Sequence, residues 1–217
     1  MLKFSFQIPA DRKLNVLCLG AHSDDIEIGC GGTILRLLEE NENVEVHWVV
    51  FAANDNRETE ARGSADLFLK KAKNKSVVIE NYRDGFFPYI GAEIKEYFEV
   101  LKTQCNPDII FSHYRNDLHQ DHRLICELTW NTFRDHIILE YEIMKYDGDL
   151  GNPNFYVHLN EAICRDKIGN IVNHFKSQAG KNWFSQESFY SLLRLRGIES
   201  NAPDRSAEAF YFRKGVL

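Results

Sequence analysis

A chain of 217 residues with 44% hydrophobic side chains is long enough to bury one full α/β core. Its net charge of −6, with no basic run and no nucleic-acid-binding motif, argues against a nucleic-acid partner. The opening stretch, Met1 to Pro9, lacks the unbroken apolar segment of a signal peptide, no stretch approaches the length of a membrane span, and five cysteines without a Cys-x-x-Cys pair read as reduced thiols; the expectation is a cytoplasmic protein forming one domain over residues 1–217.

The apolar run Leu14 to Gly20 predicts a buried strand that stops at glycine. It leads into Ala21-His22-Ser23-Asp24-Asp25, and a helix is predicted from Gly31-Gly32 through Leu38. Val44 to Ala53 starts with period-two alternation and ends as an apolar run, so it predicts a strand with His47 on its less buried face. After the polar loop Asn54 to Arg57, Ala61, Ala65, Phe68 and Ala72 recur at helical spacing. Ser76 to Glu80 predicts a short strand. Ile94, Tyr97, Phe98 and Leu101 mark an amphipathic helix that Asn106-Pro107-Asp108 ends. Asp108 to Phe111 predicts another buried strand, followed by Ser112 to Arg123; Leu124, Ile125, Leu128 and Phe133 then give a helix its buried face. Ile137 to Lys145 is strand-like, and Tyr146 to Asn154 is the clearest loop. Phe155 to Leu159 (strand), Ile168 to Phe175 (helix), Glu187 to Arg196 (helix) and Ala207 to Arg213 (strand) close the chain. Alternating strands and helices imply an α/β fold with a Rossmann-like, mostly parallel sheet flanked by helices.

The polar groups gather after two of these strands. His22, Asp24 and Asp25 follow the first, at the carboxyl edge where open α/β sheets place ligands. Imidazole and carboxylate both bind divalent metals, yet an Asx-rich turn capping the next helix explains the same residues. The second stretch, His113-Tyr114-Arg115-Asn116-Asp117-Leu118-His119-Gln120-Asp121-His122, holds three of the chain's eight histidines. Parallel strands align their carboxyl ends, so the two stretches can meet and offer three metal ligands with a coordination position left open. Dinucleotide binding fits poorly: Gly29-Cys30-Gly31 lacks the third glycine of the fingerprint, and Asp24, Asp25 and Glu27 repel a pyrophosphate.

Ala21-His22-Ser23-Asp24-Asp25 with Gly31-Gly32, and His119-Gln120-Asp121-His122 in that order, resemble the LmbE/PIG-L family of metal-dependent de-N-acetylases. Ser23 stands where the family usually has Pro; weaker echoes are Arg57-x-x-Glu60, Asp84-Gly85, His174 to Gln178 and Ala207-Glu208-Ala209-Phe210. The resemblance implies that His22, Asp25 and His122 bind the metal, zinc or another divalent ion such as Fe2+, with Asp24 as general base. It further implies His119 as oxyanion donor, Asp121 orienting His119 or supporting a ligand, and Arg57 binding the sugar, against the alternative of a surface pair between Arg57 and Glu60. His113 and Asp117 are left between lining the pocket and satisfying backbone groups, and Arg115 between meeting an anionic group and a solvated loop position. The expected substrate is a small N-acetylated sugar or sugar conjugate. The aromatics of 82–89, 141–146 and 155–156 are candidate sugar platforms, and the compact chain is compatible with a homo-oligomer. Two other readings stay open: a catalytically silent sugar-binding member, and a non-haem iron enzyme on the same His/His/Asp ligands.

Overall fold

The computed structural model describes residues 12–216, so Met1 to Pro9, read above for targeting, lies outside the described residues. Seven strands form one sheet in the order β3-β2-β1-β4-β5-β7-β6: β1 (Leu14–His22), β2 (Val44–Ala52), β3 (Asn74–Ile79), β4 (Ile109–His113), β5 (Ile137–Tyr141), β6 (Phe155–His158) and β7 (Ala207–Phe212). The pairs among β1 to β5 are parallel, and β7 runs antiparallel to both β5 and β6. The mostly parallel sheet expected from the sequence is therefore present, with an antiparallel margin on one side.

Six helices flank it among the described residues: α1 (Asp25–Glu40), α2 (Asp55–Phe68), α3 (Gly91–Gln104), α4 (Gln120–Thr132), α5 (Glu161–His174) and α6 (Gln186–Glu199). No helix among the described residues is long and apolar enough to cross a membrane. Alternation along β1 separates two cores. Val16 and Cys18 face the layer containing Ile34, Phe68, Ile168 and Phe189, contributed by α1, α2, α5 and α6. Leu17, Leu19 and Ala21 face Ile94, Phe98 and Ile125 of α3 and α4. Burial on both sides explains why β1 reads as a continuous apolar run.

The chain winds outward from β1 through β2 to β3, then returns to β4 on the other flank of β1. β1 and β4 thus border the point where strand order reverses, which opens a crevice at their carboxyl ends. Both polar stretches begin there.

Several boundaries differ from the sequence expectation. β5 ends at Tyr141 rather than at Lys145, and α5 starts seven positions before Ile168, with the Asn160 side chain accepting from the Ile163 N–H at 2.8 Å. The larger correction is in α1, which starts at Asp25 rather than at Gly31. Its glycines are interior positions that admit close neighbours. A Cβ on Gly29 would fall 2.1 Å from the Tyr141 ring, and one on Gly32 would fall 2.5 Å from Leu159 and 2.9 Å from the Glu208 carboxylate.

That carboxylate is a buried clamp. Glu208 on β7 accepts from the backbone N–H of Gly32 at 2.8 Å and of Thr33 at 2.7 Å, and from Lys167 Nζ of α5 at 2.5 Å. Lys167 also donates to the Ile28 carbonyl at 2.7 Å, so the ion pair spans the Ile28-to-Gly32 step of α1. Removing one charge strands the other in the interior. Glu208→Gln should therefore cost about 3–5 kcal/mol in denaturant unfolding, and adding Lys167→Met should recover much of the loss. A loss below about 1 kcal/mol for Glu208→Gln would show that the clamp is not what fixes α1.

Candidate metal centre and cleft

His22 is the last residue of β1, Asp24 the N-cap position of α1, and Asp25 the first residue of that helix. One short turn thus sends two adjacent carboxylates different ways. Asp25 Oδ2 turns back to accept the His22 backbone N–H at 2.6 Å, and it lies 3.2 Å from His113 Nε2. Asp24 makes no side-chain capping bond and lines the cleft. From the other side, the loop after β4 brings in His119, the N-cap of α4, and His122 one turn into that helix.

Three atoms converge: His22 Nδ1 lies 3.1 Å from His122 Nε2 and 3.4 Å from Asp25 Oδ2, and the last two are 3.5 Å apart. A tetrahedral ion with bonds of about 2.0–2.1 Å has ligand-to-ligand edges of roughly 3.3–3.4 Å, so the set fits a divalent cation. Its protonation chemistry fits too. His122 gives its Nδ1 edge to Asp117 Oδ2 at 2.9 Å, which leaves Nε2 bare toward His22 and Asp25. Burial, with repulsion from His113, pushes His122 down to about 3, so this imidazole is neutral. Burial works against ionised Asp25, but the neighbouring His122, His113 and His22 outweigh it and hold the carboxyl well below its usual range. Burial likewise opposes a charge on His22, yet Asp121, Asp25 and Asp84 raise it well above the usual imidazole range. A positive charge belongs in this place.

Asp24 behaves differently from its neighbour. Burial, reinforced by the charge of Asp25, pushes it up to about 6. His119 accepts the Asp121 backbone N–H at Nδ1 (3.3 Å), so its Nε2 carries the proton in the neutral ring. Burial and the nearby His22 lower the His119 pKa, which favours that neutral form.

Asp121 directs its carboxylate to the Gly85 N–H (2.6 Å), the Phe87 N–H (3.1 Å) and His22 Nε2 (3.3 Å). Of the two arrangements expected for it, the geometry is that of a partner to His22 rather than to His119. Arg57 donates from Nη1 to Asp84 Oδ2 at 2.8 Å and lines the cleft. The pairing with Glu60 does not form, because Glu60 accepts from the Ser177 N–H and hydroxyl instead.

The cleft encloses about 210 Å³. Besides the groups above, Lys145, Tyr146, Asp147, Lys181 and Trp183 line it. Tyr146 and Asp147, at the start of the loop 146–154, therefore edge the site. Lys145 ties the loop down, reaching Asp117 at 3.0 Å and Asp149 as well. Of the aromatics proposed as sugar platforms, Tyr146 lines this cleft, whereas Phe155 and Tyr156 line a separate groove at the β6 edge. Trp183 carried no sequence signal beyond its ring. Asp117 and His113 were visible as candidates without a role. Asp84 was visible only as one half of an Asp-Gly echo.

Comparison with known proteins covers the same stretch of chain. The sequence profile of the family described as "PIG-L: GlcNAc-PI de-N-acetylase" matches residues 17–133, which include both motif stretches. Among solved structures, the chain resembles the conserved protein TT1542 from Thermus thermophilus (18% identity, TM-score 0.75, 94% of this chain and 96% of that one). It also resembles an N,N'-diacetylchitobiose deacetylase from Pyrococcus horikoshii (23%, 0.71, 97% and 87%). A third is the 4-carboxy-2-hydroxymuconate hydratase GalB from Pseudomonas putida (16%, 0.74, 94% and 98%). At these identities the likeness is one of fold. The profile match, covering more than half of the sequence, places the chain in the PIG-L (LmbE-like) family of de-N-acetylases.

Proposed function

We propose that residues 1–217 form one zinc-dependent N-deacetylase domain that hydrolyses the N-acetyl group of a small cytoplasmic amino-sugar conjugate. The observation that carries this reading is the split between adjacent carboxylates: Asp25 is drawn into a His/His/Asp set, while Asp24 stays beside that set, raised in pKa and facing the cleft. Paired acids whose environments push them apart divide the work of ligand and base.

His22, Asp25 and His122 would hold the metal, which when bound supplies Lewis acidity that brings a water's pKa down toward 7. Asp24 takes the proton from the attacking water and returns it to the departing amine nitrogen. His119, protonated at Nε2, donates to the carbonyl oxygen as it becomes an oxyanion. Asp117 fixes the tautomer of His122, and Asp121 steadies His22 from its far edge. Arg57 and Asp84, joined at 2.8 Å on the cleft wall, offer donors and an acceptor to sugar hydroxyls. At about 210 Å³, the cleft is smaller than the roughly 300–1,000 Å³ of sites that enclose drug-sized ligands. It suits one terminal sugar ring better than an internal residue of a long chain, with Trp183 and Tyr146 at its wall.

The first test separates ligand from base. Mass-spectrometric metal analysis should find about one zinc per wild-type chain, little in Asp25→Ala, and a full complement in Asp24→Asn. On a panel of N-acetylated sugars, Asp24→Asn should release acetate about 10²–10⁴-fold more slowly than wild type. Metal retained in Asp25→Ala, or near-normal turnover in Asp24→Asn, would overturn these assignments.

The second test is the pH profile. Asp24 acts as its anion, so kcat/KM should fall as pH drops through its pKa. A cation beside Asp25 offsets the charge that raises Asp24, which puts the acid limb at or below about pH 6. A limb that persists unchanged in Asp24→Asn would exclude Asp24 as its source. Finally, Asp117→Asn should weaken zinc binding by about 10–100-fold in a competition titration with a chelator; unchanged affinity would mean that His122 is oriented by other contacts.

A further inference from the structure

Leu118 sits one residue before His119 and is 59% exposed, so burial of its side chain does not fix the backbone there. Charge does. The Leu118 N–H donates to Asp149 Oδ2 at 2.7 Å, and the His119 N–H donates to Asp117 Oδ1 at 2.7 Å. One ammonium joins the two carboxylates: Lys145 Nζ lies 3.0 Å from Asp117 Oδ1 and donates to Asp149 Oδ2. Two successive amides are thus held by two carboxylates on one lysine. Asp117 belongs to the loop that carries His119, whereas Asp149 comes from the loop after β5, 31 residues beyond Leu118. We propose that Asp149 is a positioning residue for the reaction and sets the place of His119 through the Leu118 amide. The inference rests on the reading of His119 as the oxyanion donor.

The loop is built to place that carboxylate. Gly148 has a φ of +62°, the left-handed region that favours glycine, so the chain turns immediately before Asp149. Two residues after Asp149, the Gly151 N–H donates to the Tyr211 hydroxyl at 3.0 Å and the Gly151 carbonyl accepts from Arg196 Nη2 at 3.1 Å. Arg196 is itself held by Glu142 in a buried pair, at 2.7 Å to each carboxylate oxygen. Between the turn and this anchor the Asp149 side chain is only 6% exposed. A hydrogen bond to an ionised carboxylate is of the stronger kind. Arg123 Nη1 takes the carbonyls of Asp117 (3.1 Å) and Leu118 (2.6 Å), while the amides of the same turn go to Asp149 and Asp117.

The consequence falls on one part of the chemistry. Asp117 keeps its bond to His122 with or without Asp149, so metal binding should not change. The His119 ring loses its fixed place, and a shift of about 1 Å in a catalytic group can cost roughly 10²-fold in rate. His119 acts on the oxyanion rather than on the bound sugar, so the loss belongs to kcat.

Hydrogen exchange read by mass spectrometry, together with steady-state kinetics on the panel of N-acetylated sugars, tests this on the full chain. Asp149→Ala leaves Lys145 paired with Asp117, so no charge is stranded, and thermal melts should show a folded protein. Asp149→Ser, whose hydroxyl is too short to span both partners, is a second truncation. Both should keep the wild-type zinc content and speed exchange in the peptide that contains Leu118 and His119. Both should lower kcat by about 10–10²-fold at nearly unchanged KM, less than the roughly 10²–10³-fold that removing an oxyanion donor costs. Asp149→Asn keeps an acceptor for the Leu118 N–H and should restore the protection and most of kcat. In a His119→Gln background, Asp149→Ala should add little, because the two residues act as one unit. Near-wild-type kcat in both truncations, a full further loss in the His119→Gln background, or a loss in Asp149→Asn equal to that in Asp149→Ala would overturn this proposal and leave the deacetylase reading intact. A wild-type chain that releases no acetate from any sugar of the panel would overturn both.

Discussion

The parallel pairing of β1 with β4 is the constraint on which the site depends. Val16 stands against Ile109, Leu17 against Ile110 and Cys18 against Phe111, and each strand is buried on both faces. This register carries the carboxyl ends of the two strands to the same crevice, where His22 ends one strand and His113 the other. The contact persists past the ladder: the Ala21 N–H donates to His113 Nε2 at 2.9 Å, and the Tyr141 hydroxyl donates to the Leu19 carbonyl at 2.6 Å. A one-residue slip would turn every side chain of β1 to the other face, so the same apolar packing that stabilises the sheet also fixes the distance between the two motif loops.

The helix after β1 is held with comparable stringency from behind. Its glycines cost helix propensity, about 1 kcal/mol each relative to alanine. Tyr141 and Glu208 occupy the space they leave. The Glu208–Lys167 pair then grips the backbone from Ile28 to Thr33, a turn beyond Asp25. Residues late in the chain, on α5 and β7, thereby position a carboxylate near its start. The matched profile ends at residue 133, yet α1 depends on a clamp supplied from beyond it.

Much of this was legible from sequence. Apolar runs marked the strands because both faces of a central parallel sheet are buried, and the two motif stretches marked the crevice because each follows a strand whose carboxyl end opens there. What was not legible has a physical cause in each case. Gly31-Gly32 reads as a helix start because glycine disfavours helix interiors; only the tertiary contact with Glu208 reveals why it sits there. Arg57 and Glu60 have ideal spacing for a helical pair, but each finds a partner from another element, Asp84 and Ser177. Asp117 had no single role legible in the sequence because its hydrogen bond to His122 crosses the loop that it helps to form. Trp183 and Lys181 reach the cleft only through the packing of the segment after α5. Ser23, where the family pattern carries Pro, is buried with a hydroxyl that has no partner among the described residues. The site accommodates the change in shape and leaves the polar group unpaired.

Electrostatics then explain why two neighbouring acids differ. Asp25 is surrounded by imidazoles on three sides and gains from ionising even when buried. Asp24, one residue earlier, faces the cleft; burial and the charge of Asp25 raise it by more than His22 and Lys181 lower it. The difference is one of direction, set by where β1 ends and α1 begins. The helix start at Asp25, with His22 still in the strand, is therefore as much a part of the chemistry as the side chains themselves.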